Sequence, residues 1–237
     1  MRTTGPPPAA SDFFRGLPAE KEAFLALARR REVKKYGFVF LENDPARSCF
    51  LLYSGSVKIF RVAVHGKEPT LFIRHAGEVF GLAEIVEGRA RKCSAQAISD
   101  VVLFELSRPD FDALLARHHG LARRVIDVLG TRLRFLGEQI ENLMVCDVAT
   151  RLLKLLVYLC PDRPEEPAEP EQGIPLPVSL TQEQMADMTG SCQQTVSVLL
   201  KKFQSEGLIG VSGRRITLLA PRRILALLGQ PGAASSA

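Results

Sequence analysis

Tryptophan is absent from the 237-residue chain, and tyrosine, methionine and histidine occur only three, four and four times. Imidazoles are therefore scarce. Of His65, His75, His118 and His119, the two in the β-rich region, His65 and His75, are isolated, with no His-x-His pair or nearby Glu partner set, which argues against a metal centre of the cupin type that a β-roll can build. The five cysteines (Cys49, Cys93, Cys146, Cys160 and Cys192) are odd in number, dispersed and without a C-x-x-C pair. Neither a disulfide framework nor a zinc site is expected from them, but reduced thiols in a cytoplasm. No apolar run approaches the roughly 18 residues that span a bilayer, and the first eight residues hold no apolar signal core, so no membrane partner is expected. There is no phosphate loop and no nucleophile–base pair, so no enzymatic activity is expected. Excess charge of one sign is small, 31 Lys+Arg against 26 Asp+Glu or +5. Its location, more than its size, must identify an anionic partner.

With 46% hydrophobic and 24% charged residues, the composition is that of a folded chain of one large or two modest domains. The Pro/Ala/Thr-rich start and the Gly/Ala/Ser end bury nothing and are left out of the fold. Between Val33 and Leu106, short β-branched and aromatic runs (Phe38 to Leu41, Cys49 to Tyr53, Val57 to Val62, Leu71 to Ile73) alternate with Gly37, Gly55, Gly66 and Gly77. This spacing predicts an antiparallel sandwich or barrel over residues 11–108. After Pro109 the period becomes helical. Val125, Leu129, Leu133, Leu136, Ile140 and Leu143 recur at steps of three and four, predicting a helix from Leu121 to Val145 within a helical segment 109–146. Such a stripe can lie on the β domain, pair with a second copy, or both, with Val125, Leu129, Leu136, Ile140 and Leu143 as the dimer-facing set. Asp147 to Cys160 continues as an apolar helix. Six prolines and four glutamates over residues 161–177 then predict a solvated acidic loop inside a third segment, 147–230.

Thr181 to Phe203 divides into a short helix, a turn at Thr189-Gly190-Ser191 and a second helix, with Ala186 small enough for a close crossing. Val196, Leu199, Leu200 and Phe203 form the inner stripe of the second helix, and Gln193, Gln194, Ser197, Lys201 and Gln204 its outer face. Amides, a hydroxyl and a lysine without a carboxylate suit the major groove of double-stranded DNA. Gly207 to Leu218 reads as two strands about a Ser-Gly turn carrying Arg214 and Arg215, a wing that can touch phosphate. Residues 190–237 hold six Lys+Arg and one acid, or +5, whereas residues 147–189 hold three and eight, or −5. The DNA-contacting set is therefore Thr181, Gln193, Gln194, Thr195, Ser197, Lys201, Lys202, Arg214 and Arg215.

A β-roll, a long helix and a winged helix-turn-helix, with the segments Gly77 to Gly81, Asn142 to Leu152 and Thr189 to Ser197, resemble the CRP/FNR family of bacterial transcription regulators. The resemblance covers Phe13 to Leu228. It implies an α+β fold with a cyclic-nucleotide-binding-like roll and a homodimer along the long helix. It further implies a near-palindromic operator, contact with RNA polymerase, and an effector between roll and helix. The implied effector locus comprises Gly81, Leu82, Ala83, Glu84, Arg91, Lys92, Leu129, Gly130, Leu133 and Leu136. The DNA-binding segment looks nearest to the haem-type carbon-monoxide and nitric-oxide sensors.

Departures from the family pattern bear on each of these. Cyclic-AMP-binding members carry a ribose-binding Glu where Leu82 stands, an Arg-Ser where Arg91-Lys92 stands, and a Thr-Ser pair where Leu136-Gly137 stands. A ribose hydroxyl facing Leu82 has no partner, which argues against cyclic AMP. The iron-sulfur branch uses N-terminal cysteines, and the first here is Cys49. The carbon-monoxide sensors' haem ligands fall on Gly81 and Ala83, leaving haem only the four histidines. Arg91 and Lys92 can still receive a carboxylate or phosphate, or be solvated loop cations; an unresponsive, vestigial pocket is the alternative. The family's common Glu-x-x-x-Arg reading pair appears as Gln194 and Val198, so the operator is expected to differ. Cys192 opens the reading helix, either as an inert turn residue or as an oxidisable thiol.

Overall fold

The computed structural model describes residues 12–62, 68–160, 173–177, 179–213 and 215–229. By contacts the chain forms two units, 1–135 and 136–237. The boundary falls inside a helix.

The first unit opens with α1 (Pro18–Leu27), started by proline in its first turn. Eight strands follow: β1 (Arg29–Val33), β2 (Phe38–Phe40), β3 (Ser48–Ser54), β4 (Ser56–Phe60), β5 (Thr70–His75), β6 (Val79–Phe80), β7 (Ser94–Ala97) and β8 (Val101–Ser107). The short α2 (Leu82–Glu87) lies between β6 and β7. All pairings are antiparallel, in two four-stranded sheets ordered β1-β8-β3-β6 and β2-β7-β4-β5. This is the expected roll. β3 and β4 are separated by Gly55 alone, and both are buried along most of their length because each lies inside its sheet. Phe50, Leu52, Val57, Phe80, Ala95, Ala97 and Leu103 fill the roll.

The helical stretch expected from Pro109 to Cys146 is two helices, α3 (Arg108–Arg117) and α4 (His119–Val145). Ser107 caps α3 through the Asp110 N–H. His118 leaves helical backbone geometry, and its carbonyl accepts from the N–H groups of Leu121 and Ala122, so one residue ends α3 and opens α4. The first turns of α4 belong to the roll's outer core. Leu121 and Val125 are buried with Phe13, Phe14, Phe24, Leu82, Phe111 and Leu114, and Leu129 packs at the edge.

In the second unit, α5 (Val148–Tyr158) is capped by Asp147, and Leu152, Leu153, Leu155 and Leu156 bury its apolar side. The expected acidic loop 161–177 is in part a strand. β9 (Ile174–Pro175) pairs with β11 (Arg215–Leu218), which pairs with β10 (Ile209–Ser212). β9 is an edge strand, where proline's missing N–H is tolerated. The rest of the loop, residues 161–172, lies outside the described residues. Helices α6 (Gln182–Thr189), α7 (Gln193–Ser205) and α8 (Pro221–Gly229) complete the unit.

Candidate DNA-reading surface and effector locus

Local chemistry fixes the helix-turn-helix. Thr181 Oγ1 accepts from the Gln184 N–H at 3.1 Å, and the Gln184 side chain accepts from the Thr181 N–H at 2.9 Å, a closed capping box. Gly190 ends α6 at φ +59°, a left-handed conformation that favours glycine, and a Cβ there would also press on the Leu143 side chain. Arg151, on α5, locks the turn. Its Nε donates to the Thr189 carbonyl at 2.8 Å and its Nη1 to the Cys146 carbonyl at 2.6 Å. A lone arginine in an apolar helix was the only sequence signal for this clamp.

Val196, Leu200 and Phe203 are buried, whereas Gln193, Gln194, Lys201 and Lys202 are exposed and Thr195 and Ser197 half-buried. One side of α7 therefore meets the core and the other presents amides and ammonium groups. Lys202 also reaches Glu206 at 4.0 Å. Arg215 is exposed on β11, beside the turn at Gly213; Arg214 lies outside the described residues. Val198, absent from the sequence-derived set, is 66% exposed on the outward side. Cys192, at the head of α7, has its thiol held below the ordinary value, chiefly by the Thr195 hydroxyl at 3.1 Å and next by the Thr195 N–H.

In the roll, Arg91 is not a solvated cation. Only 2% exposed, its guanidinium donates to the carbonyls of Gly81 (2.9 Å) and Ser48, pairs with Glu84 at 3.5 Å and lies 4.3 Å over the Phe40 ring. Phe40, Phe50 and Phe80 stack beneath it with centroids 5.3 to 6.2 Å apart. Burial pushes the Arg91 pKa down, opposed first by Glu84. Its Nε has no acceptor among the described residues. Gly81 adopts φ +73° ahead of α2.

Leu82 is 1% exposed, inside the apolar cluster with Ile85 and Leu106. Ala83 and Lys92 are exposed, and the Lys92 N–H meets Glu84 at 3.4 Å. Gly81 and Ala83 supply no ligating side-chain atom, so the haem ligand pair of the carbon-monoxide sensors does not fit here. Of the four histidines, His65 lies outside the described residues. Burial holds the His75 imidazole below its ordinary pKa.

Of the residues expected to wall the effector locus, Leu129 packs on the core of the first unit, while Leu133 is 72% exposed and Leu136 is also exposed. Of the expected dimer-facing set, Val125 and Leu129 pack against the roll, while Leu136, Ile140 and Leu143 are exposed, as are Ile126, Leu133 and Met144. Which helix face the roll covers is not visible in the sequence alone.

Two domain families match the chain: the cyclic nucleotide-binding domain at residues 30–118 and the Crp-like helix-turn-helix domain at residues 148–227. The global nitrogen regulator of Synechococcus elongatus is 30% identical over 77% of this chain and 82% of its own length. This chain belongs to the CRP/FNR family of transcription regulators. As a member it is a DNA-binding regulator and not an enzyme. The cyclic AMP receptor protein of Thermus thermophilus is 28% identical over 84% of this chain and 88% of that protein. A structure of a CooA variant from Carboxydothermus hydrogenoformans superposes with a TM-score of 0.70 at 26% identity, covering 86% of this chain and 89% of that one. These identities do not single out the gas-sensing branch that the DNA-binding segment resembles. Among the described residues no helix is long and apolar enough to cross a membrane, and no cluster of three or more His, Cys, Asp or Glu is placed to hold a metal.

Proposed function

We propose that this CRP/FNR regulator acts in the cytoplasm as a homodimer that lays α7 of each protomer in the major groove of a near-palindromic operator and acts through RNA polymerase. The observation that carries this is the outward side of α7, where Gln193, Gln194 and Lys201 are all exposed and no carboxylate stands among them. Glutamine offers a donor and an acceptor to a base edge, and lysine pairs with guanine or phosphate. Thr181, Thr195, Ser197, Lys202, Arg214 and Arg215 serve backbone positioning in this reading. The exposed residues Ile126, Leu133, Ile140 and Met144 form the seam between the two α4 helices. Their spacing, with Gly130 and Gly137 between, is that of a two-stranded coil.

Control comes from a small effector at the Gly81 to Arg91 locus. The buried, unsatisfied Nε of Arg91 supports an anionic group there, because an incoming acceptor removes the cost of an orphaned N–H. Leu82 supports an effector other than cyclic AMP, since an apolar side chain in the core offers a ribose hydroxyl nothing to bond. Haem finds its family ligand positions empty of ligating atoms and is not the effector in this reading. A vestigial pocket is the second reading, favoured by one observation: the protein's own carbonyls and Glu84 already engage the terminal nitrogens of Arg91.

The test is selection of a random duplex pool by the purified chain, with and without cyclic AMP. Enrichment of an inverted repeat supports the reading, and no enriched sequence overturns it. A tenfold or greater gain in affinity on adding cyclic AMP overturns the assignment of Leu82.

A further inference from the structure

The reading side of α7 has an apolar residue at its centre. Val198 is 66% exposed, one helical turn after Gln194 and one turn before Lys201 and Lys202, all of them exposed. The buried residues Val196, Leu200 and Phe203 face the other way, so no packing inside the domain calls for a β-branched side chain here. Its exposure alone carries no meaning, since single apolar side chains are common on surfaces. Its position does, because it stands one turn from Gln194, the residue best suited to a base edge, and one turn from lysines suited to phosphate.

Of the groups exposed in the major groove, the one that an aliphatic side chain recognises is the thymine 5-methyl; valine can neither donate nor accept to the other base edges. A valine in a helix is also held in one dominant χ1 rotamer, so its two methyls are presented rigidly and little side-chain freedom is lost on contact. Residues four apart on a helix have Cβ atoms about 5–6 Å apart, against about 3.4 Å between successive bases. Gln194 and Val198 therefore address base pairs one or two steps apart.

We propose that Val198 is a specificity-determining residue that reads the 5-methyl group of a thymine, one or two base pairs from the pair read by Gln194. Gln194 and Val198 then replace a charged reading pair with an amide and a methyl contact, so each half-site carries a thymine that lysine and glutamine do not explain. The inference rests on the DNA-reading role of α7, and its test separates the two.

The full-length protein is used to select an operator. Each thymine of the half-site is then replaced in turn by deoxyuridine, which removes only the methyl group. At one position, in both half-sites, affinity falls about fourfold per half-site, the ~0.8 kcal/mol of one buried methyl, or about 15-fold in all. Val198→Asn, a surface change that leaves the buried stripe of α7 intact, loses the preference for thymine over deoxyuridine at that position, and Val198→Ala, which keeps one methyl, shows a smaller preference than the parent. Val198→Arg enriches guanine there instead. Deoxyuridine tolerated at every position, or discrimination by the Val198→Asn protein equal to the parent's, overturns the valine contact while the DNA-reading role stands. A pool with no enriched sequence overturns both.

Discussion

Arg91 Nη1 donates to the Gly81 carbonyl at 2.9 Å, a buried tie between the β7 side of the roll and the entry to α2. Replacing Arg91 by methionine removes the donor to two carbonyls, unpairs Glu84 and lifts the cation from the Phe40 ring. Because Glu84 stays partly exposed, the main cost is that of the unsatisfied carbonyls. Urea unfolding of Arg91→Met is expected to show a loss of about 1–3 kcal/mol. A change below about 1 kcal/mol would mean that these contacts contribute little to the fold.

Thr181 has a structural duty as a cap, whatever it contributes to phosphate contact. Thr181→Ala opens the capping box and is expected to lower stability by about 1 kcal/mol, with Thr181→Ser close to neutral. Thermal unfolding in the absence of DNA measures this. An alanine variant as stable as the parent would assign the hydroxyl to DNA contact alone.

On α7, Lys201→Ala is expected to weaken binding to all duplexes alike and to reduce the salt-dependence slope by about one, the signature of a lost phosphate contact. Gln194→Ala is expected to relax preference at a single base pair. Titrations of a selected operator and its single-base variants at two salt concentrations distinguish the two. Uniform effects from both substitutions would remove Gln194 from base reading.

The α4 seam separates association from folding. Leu133→Asp places a charge on an exposed apolar stripe and is expected to shift sedimentation from dimer to monomer while the roll stays folded. Val125→Asp buries the charge in the roll's core and is expected to unfold the first unit. Dimeric Leu133→Asp at micromolar concentration would place the interface elsewhere.

Thiol reactivity should follow the local fields. Cys192 is exposed and its pKa is lowered by Thr195, so its alkylation rate is expected to reach half-maximum at a pH below that of an ordinary cysteine. Cys49 is buried, its thiol pushed up to about 12 by desolvation, and Cys93 is raised for the same reason. Iodoacetamide should therefore label Cys192 well before either, as peptide mass mapping would show. Labelling of Cys49 in the native protein would reveal opening of the roll.

Local patterning determined much of this protein. The short β-branched runs between turn glycines gave the roll, the three-and-four spacing from Leu121 gave α4, and Thr181, Gly190 and the polar positions of α7 gave the helix-turn-helix. Each is a property of neighbours along the chain, which backbone sterics and periodicity register. Long-range packing decided the rest. Only the fold shows that Arg91 lies between Ser48 and Gly81 over an aromatic stack, because those partners are 43 and 10 residues away. Only the fold shows that Pro175 sits on a sheet edge opposite Thr217, and that the roll covers Val125 and Leu129 and so leaves Ile126 and Leu133 exposed. Periodicity shows that a helix has an apolar side, but which part of that side meets the core depends on surfaces that come together only when distant strands have paired.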